Sequence, residues 1–155
     1  MKAIVIYSSN SGKTETFAKK IQQEFNADIL KVEPVKKYGG FLRACLRAGK
    51  ERKKHVQVDI KTEVPDLSSY DTVFLGFPIW MSTIPAFLSQ FMKKCSVRDK
   101  MLIPFCTSKK TSVISSMVQV KECCPGANIK EGLALRYTTE DAFAKWVGIV
   151  KTYYK

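Results

Sequence analysis

The 155-residue chain predicts an α/β fold in which a five-stranded parallel sheet is covered by helices on both faces. Three observations carry this expectation. Short runs of β-branched and aliphatic residues recur five times, each followed by a segment whose apolar residues fall at helical spacing. The runs lack the strict apolar–polar alternation of a sheet with one wet face, so both faces call for cover. Parallel neighbours also need crossover connections, and helical segments stand where the crossovers would be.

The elements follow in order. Lys2–Ser8 (KAIVIYS) reads as a buried first strand, and after Ser-Asn-Ser-Gly the segment KTETFAKKIQQEF places Phe17, Ala18, Ile21 and Phe25 on one helix face. Asp28–Glu33 is the second strand, closed by Pro34, Gly39 and Gly40. Phe41–Lys54 is helical, with Phe41, Ala44, Cys45 and Ala48 on one face and Arg43, Arg47, Lys50 and Lys54 on the other. Thr72–Gly76 is the third strand, FPIWMSTIP a loop, and Ala86–Lys94 a short helix. Met101–Cys106 is the fourth strand, in which Pro104 has no ladder hydrogen to give. Ser112–Cys123 is helical, Gly132–Arg136 is the fifth strand, and Thr139–Lys151 is a last helix capped by Thr138 or Thr139.

Composition bounds the rest. With 45% apolar and 26% charged residues, the chain fits one globular domain spanning residues 1–155. No apolar run approaches the ~20 residues of a membrane-spanning helix, and MKAIVIYSSN lacks a signal-peptide pattern. The expectation is a soluble protein of the cytoplasm. Five cysteines form an odd set without a Cys-x-x-Cys pair, which favours reduced thiols, and a lone His55 rules out a His-rich metal site.

Ligands of such sheets bind outside the carboxyl ends of the strands. The first loop there is Ser8-Ser9-Asn10-Ser11-Gly12-Lys13-Thr14, where small hydroxyl side chains, a glycine and a helix start converge at the positive end of a helix dipole. That is an anion cradle, most naturally for a phosphate; the alternative is a plain helix cap in a polar turn. The string Ser-Gly-Lys-Thr invites a nucleoside-triphosphate P-loop, but that motif needs a glycine at position 7, which is Tyr7.

At this loop the sequence resembles the flavodoxin family. VIYSSNSGKTETFAKKI (5–21) fits the family's FMN-phosphate signature in its aliphatic pair, Tyr7, Ser9, Gly12, Thr14, Ala18 and Ile21. GFPIWMSTIP after the third strand, PFCTS after the fourth and EGLALR near the end extend the resemblance over nearly the whole chain. The resemblance implies a flavodoxin-like three-layer sandwich with strand order 2-1-3-4-5 and non-covalent FMN. It places the FMN phosphate at Ser9, Asn10, Ser11, Gly12, Lys13 and Thr14. The isoalloxazine ring would lie between Pro78, Ile79, Trp80, Met81 and Ser82 on one side and Cys106, Thr107 and Ser108 on the other.

An electron-poor planar ring wants an aromatic face, which Trp80 can supply, although a tryptophan at that position can equally be core. Flavin chemistry needs no catalytic side chain, so none is assigned. The implied function is electron transfer. The alternatives are a small FMN-dependent oxidoreductase of the quinone or protoporphyrinogen type, and a flavin-free binding module on the same fold.

Charge sets this chain apart from the acidic members of that family. Its formal charge is +12, and between Lys36 and Lys54 eight basic residues face Glu51 alone. The basic helix is either a solvated face or a docking surface near Arg43, Arg47, Lys50 and Lys54. An acidic redox partner protein is the expected occupant, and peripheral membrane contact is also open. Nothing resembling a nucleic-acid module accompanies the charge. Lys109 and Lys110 in the loop after the fourth strand add to the basic setting, which predicts a less negative flavin potential than that of an acidic carrier. Cys106 is either redox-active beside the cofactor or inert filler.

Overall fold

Five consecutive apolar residues, Ala3–Tyr7, form β1, and the pleat sends alternate side chains into two separate cores. Ile4 and Ile6 enter one; Ala3, Val5 and Tyr7 enter the other. The computed structural model describes residues 1–107, 113–135 and 140–154. α1 (Lys13–Phe25) follows the first loop and buries Ala18 and Ile21 against the second core. β2 (Asp28–Lys31) then pairs in parallel with β1. α2 (Phe41–Lys53), β3 (Thr72–Pro78), α3 (Ala86–Lys94) and β4 (Met101–Thr107) complete the body of the fold. A 3-10 turn at Val113–Ser116 leads into α4 (Met117–Cys123), and α5 (Glu140–Thr152) closes the chain.

The sheet order is β2-β1-β3-β4-β5, all parallel. The first core is contributed by α2, α3, α4 and one side of the sheet; the second by α1, α5 and the other side. Such a three-layer arrangement with reversal between β1 and β3 is the expected flavodoxin-like fold. Gly76 of β3 lies under the ring of Phe105 on β4. A Cβ there would meet the ring at 2.2 Å, so this position admits no side chain without a shift of the aromatic.

The fifth strand differs from expectation. Instead of one strand at Gly132–Arg136, two short strands pair with β4: β5 (Asn128–Ile129) along Met101–Leu102 and β6 (Leu133–Leu135) along Phe105–Thr107. The break faces Pro104. Lys130 N donates to Leu102 O at 2.9 Å, so the even residues of β4 direct their backbone groups to this edge. Pro104 therefore presents a nitrogen without hydrogen where a continuous strand would need one.

The helix expected from Ser112 begins instead as the 3-10 turn, where two adjacent serines weaken α-helical geometry. Ser112 itself and both candidate caps of the last helix, Thr138 and Thr139, lie outside the described residues. Among the described residues no helix is long and apolar enough to cross a membrane. The cysteines are unbridged, and the vicinal pair Cys123–Cys124 has its sulfurs 3.8 Å apart.

Candidate functional site

The loop after β1 is built as an open cradle. Ser8 N donates to Gly76 O at 2.9 Å, which holds the strand end against β3 before the chain turns away. Ser9 Oγ then accepts from Gly12 N at 3.1 Å, closing the turn. Gly12, at φ +83°, occupies the left-handed region and leads straight into α1, and Thr16 Oγ1 donates back to Gly12 O at 3.1 Å. No side chain caps α1. The N–H groups of its first turn have no partner within the helix and lie at the positive end of the dipole, with Ser9, Ser11 and Thr14 beside them in the chain. The cradle thus fits a phosphate on the chemistry of its donors. Asn10 Nδ2 donates to Gly39 O at 2.7 Å and ties the loop to the start of α2.

The other two expected loops meet the first at Thr107. Its hydroxyl lies 2.8 Å from Thr14 Oγ1, and its carbonyl accepts from Ile79 N at 3.0 Å. Residues from the ends of β1, β3 and β4 are therefore brought to one edge. Beyond Ile79 the chain makes a tight reversal in which Trp80 and Thr83 exchange backbone hydrogen bonds of 3.0 and 3.1 Å. Met81 and Ser82 at its tip have φ of +50° and +60°, positive at both central positions as a type I′ turn requires, with no glycine to relieve them. Met81 is exposed at this tip.

The side chains expected to flank a flavin ring are placed unequally. Trp80 is only 4% exposed and packs on Tyr38, with ring centroids 4.9 Å apart, so it walls the site from the core side. Ile79 is buried with it. Cys106 is fully buried in the first core, and burial pushes its thiol up to about 12; it offers the site a backbone, not a thiolate. Ser108, Lys109 and Lys110 lie outside the described residues. Of the first loop, Asn10, Ser11, Gly12 and Lys13 are exposed, Ser9 is half-buried and Thr14 is buried.

Two features escaped the sequence. The first is a cavity of about 220 Å³ on the β2 side of the phosphate loop, lined among others by Ser8, Tyr38, Lys37, Lys61 and Trp80. Ser8 is 1% exposed, and its hydroxyl has no hydrogen-bond partner among the described residues. A lone serine after a strand gives no sequence signal of this. The second is a buried triad. Tyr38 Oη donates to Glu51 Oε2, and Arg47 Nε donates to Glu51 Oε1 at 2.6 Å. The Arg47 guanidinium lies over the Tyr38 ring at 4.0 Å, and its Nη1 donates to Lys36 O at 2.7 Å. Burial, with Glu51 as acceptor, raises the Tyr38 hydroxyl above its ordinary range.

The triad corrects the expected basic face. Arg47 turns inward to pin the β2–α2 connector, because the single acid of the basic run, four residues on, is buried and needs a cation. The i, i+4 spacing of Arg47 and Glu51 is a signal in the sequence, but the burial of Glu51 that turns Arg47 inward is not. Lys31 is likewise engaged, with Glu15 at 2.9 Å, and the ammonium groups of Lys31 and Lys19 hold the Glu15 carboxyl below its usual value.

Comparison with known proteins agrees with this fold. Solved structures of similar shape include a candidate flavoprotein of Bacteroides eggerthii, 28% identical, with a TM-score of 0.83 over 97% of this chain and 98% of that one. A second candidate flavoprotein, of Bacteroides uniformis, is 25% identical, with a TM-score of 0.84 over 95% and 97%. A flavoprotein of Lactobacillus acidophilus, solved in complex with FMN, shares the fold at 20% identity, with a TM-score of 0.76 over 94% and 97%. No curated protein matches the sequence. The family model described as flavodoxin matches residues 2–150, and the chain belongs to the flavodoxin family.

Proposed function

We propose that this protein binds FMN non-covalently at the carboxyl edge of its sheet and transfers electrons through it. The observation that carries this reading is the uncapped start of α1 behind the left-handed Gly12, with the hydroxyl-bearing Ser9, Ser11 and Thr14 beside it in the chain. A phosphate dianion satisfies those donors and the helix dipole together. The phosphate is held by residues 9–14, and the ring lies between the Pro78–Ser82 reversal and the Cys106–Ser108 segment. Bound FMN supplies one- and two-electron redox chemistry. The chain's own part is to grip the phosphate, to wall the ring with the Ile79–Trp80 layer, and to leave Met81 at the exposed edge. The Lactobacillus flavoprotein solved with FMN supports the choice of cofactor.

The test is direct. Titrating the purified protein with FMN should perturb the flavin's visible absorption and quench its fluorescence, saturating at one flavin per chain. A protein that leaves the flavin spectrum unchanged overturns the reading and returns it to a flavin-free module on the same fold.

A second reading, a small FMN-dependent oxidoreductase, is favoured by the cavity beside the phosphate loop, because a pure carrier has no need of a pocket that holds an orphaned hydroxyl and is lined by Lys31, Lys37 and Lys61. Steady-state oxidation of a nicotinamide reductant with a quinone acceptor would support it. Inability to turn over alone, together with fast exchange with a flavoprotein reductase, supports the carrier.

A further inference from the structure

We propose that the outer face of α2 is a docking surface for an anionic lipid bilayer. At 3.6 residues per turn, Leu42, Leu46, Gly49 and Lys53 form one ridge along the helix. Arg43 and Lys50 lie along one flank of that ridge and Arg52 along the other. The ridge is the side turned away from the core, since Ala44, Ala48 and Glu51 face inward. Leu42 is 71% exposed and Leu46 is 61% exposed, so two large aliphatic side chains stand in water. A merely solvated face would carry polar residues there.

The charge around the leucines has one sign. Lys36, Lys37, Arg43, Lys50, Arg52, Lys53 and Lys54 are exposed, and the only acid between residues 34 and 58 is the buried Glu51. Leucines on a ridge between cations match an interfacial helix, whose apolar tips enter the headgroup layer while long basic side chains reach the lipid phosphates. The leucines favour a bilayer over an acidic protein. Charge alone docks an acidic protein, whereas two aliphatic tips set among long basic side chains match the headgroup–acyl boundary, where the tips and the cations meet different layers.

The placement bears on the site. α2 begins at the carboxyl edge, where Asn10 is bonded to Gly39, so docking through Leu42 brings the phosphate-loop edge of the sheet towards the lipid. The inference does not depend on FMN, because it concerns a face that neither the cradle nor the cavity uses apart from Lys37 at the rim.

Co-sedimentation of the full chain with extruded vesicles tests it. The protein should pellet with vesicles containing phosphatidylglycerol, stay in the supernatant with pure phosphatidylcholine, and release as salt is raised to about 0.5 M. The double variant Leu42→Ser, Leu46→Ser should lower the partition coefficient about tenfold at unchanged melting temperature. Lys50→Glu with Lys53→Glu should lower it about tenfold or more, while Lys121→Glu with Lys145→Glu, equal in charge but on α4 and α5, should leave it within about twofold. Failure of the wild-type chain to pellet overturns the proposal. So does a loss on the α4/α5 variant equal to that on α2, which would mean diffuse attraction of a +12 protein. A leucine variant that binds like wild type also overturns it and assigns the face to purely electrostatic docking, as on an acidic protein.

Discussion

α1 and α2 are both 13-residue helices that start after a glycine and lack a side-chain cap, yet they are built for different ends. At α1 the glycine is in the left-handed region, Ser9, Ser11 and Thr14 stand beside the helix start in the chain, and the flank is neutralised by Lys19–Glu15, Lys20–Glu140 and Lys151–Glu24. At α2 the glycine is extended, no ring of hydroxyls is present, and the flank is cationic and aliphatic. Under the two proposals, the ligand of α1 meets the end of the helix, where the preceding loop is shaped around an uncapped start, and the ligand of α2 meets its side.

The strongest test of this contrast is on the anchor of α2. Glu51→Ala leaves Arg47 and Tyr38 without their shared acceptor, and urea unfolding should show a loss of about 3 kcal/mol, with little change in affinity for added FMN. A loss below about 1 kcal/mol would mean that the triad does not hold the connector. Gly12→Asp acts on the end of α1. It sets a carboxylate against the phosphate and forces a non-glycine residue to φ +83°, and the dissociation constant for FMN should rise about 100-fold. Unchanged affinity would place the phosphate elsewhere.

Thr14→Val removes the hydroxyl contact to Thr107 that joins the first loop to the end of β4. A stability loss of about 1 kcal/mol and a several-fold weaker grip on FMN are expected, read by thermal melting and flavin fluorescence. The smallest effect belongs to the α1 flank. The Glu15 carboxyl is lowered in the folded protein by its Lys31 and Lys19 partners, so its contribution is fully present above the ordinary carboxylate range and is lost as pH falls through its lowered value. Because the group is partly exposed and its lysine partners more so, Glu15→Gln should flatten acid unfolding by less than about 0.5 kcal/mol, and salt should erase the difference. A larger, salt-resistant effect would mean that the α1 flank does more than neutralise itself.

Much of the architecture was legible along the chain because its cues are local. Helix bounds at Lys13–Phe25 and Ala86–Lys94 match the periodicity residue for residue, since each helix shows a clear apolar stripe with a glycine or proline at its start. The broken edge strand was not legible, because the interruption is set by Pro104 on a neighbouring strand rather than by the residues that break. The candidate site was half legible in the same sense. Its phosphate loop is one contiguous string, while the Ser8 cavity needs the connector after β2 folded over it.

What the sequence alone determined is the alternation of strands and helices, the glycine-hydroxyl loop and the density of positive charge, all of which depend on residues close in the chain. Only the tertiary structure decided that Trp80 is a wall, that Arg47 turns inward and that Leu42 and Leu46 are left in water. Each depends on which surfaces the folded chain brings together: Tyr38 covers Trp80, the buried Glu51 and the Lys36 carbonyl draw in Arg47, and among the described residues no element packs over the outer ridge of α2. Burial is a property of pairs of surfaces, and local spacing names one surface of each pair.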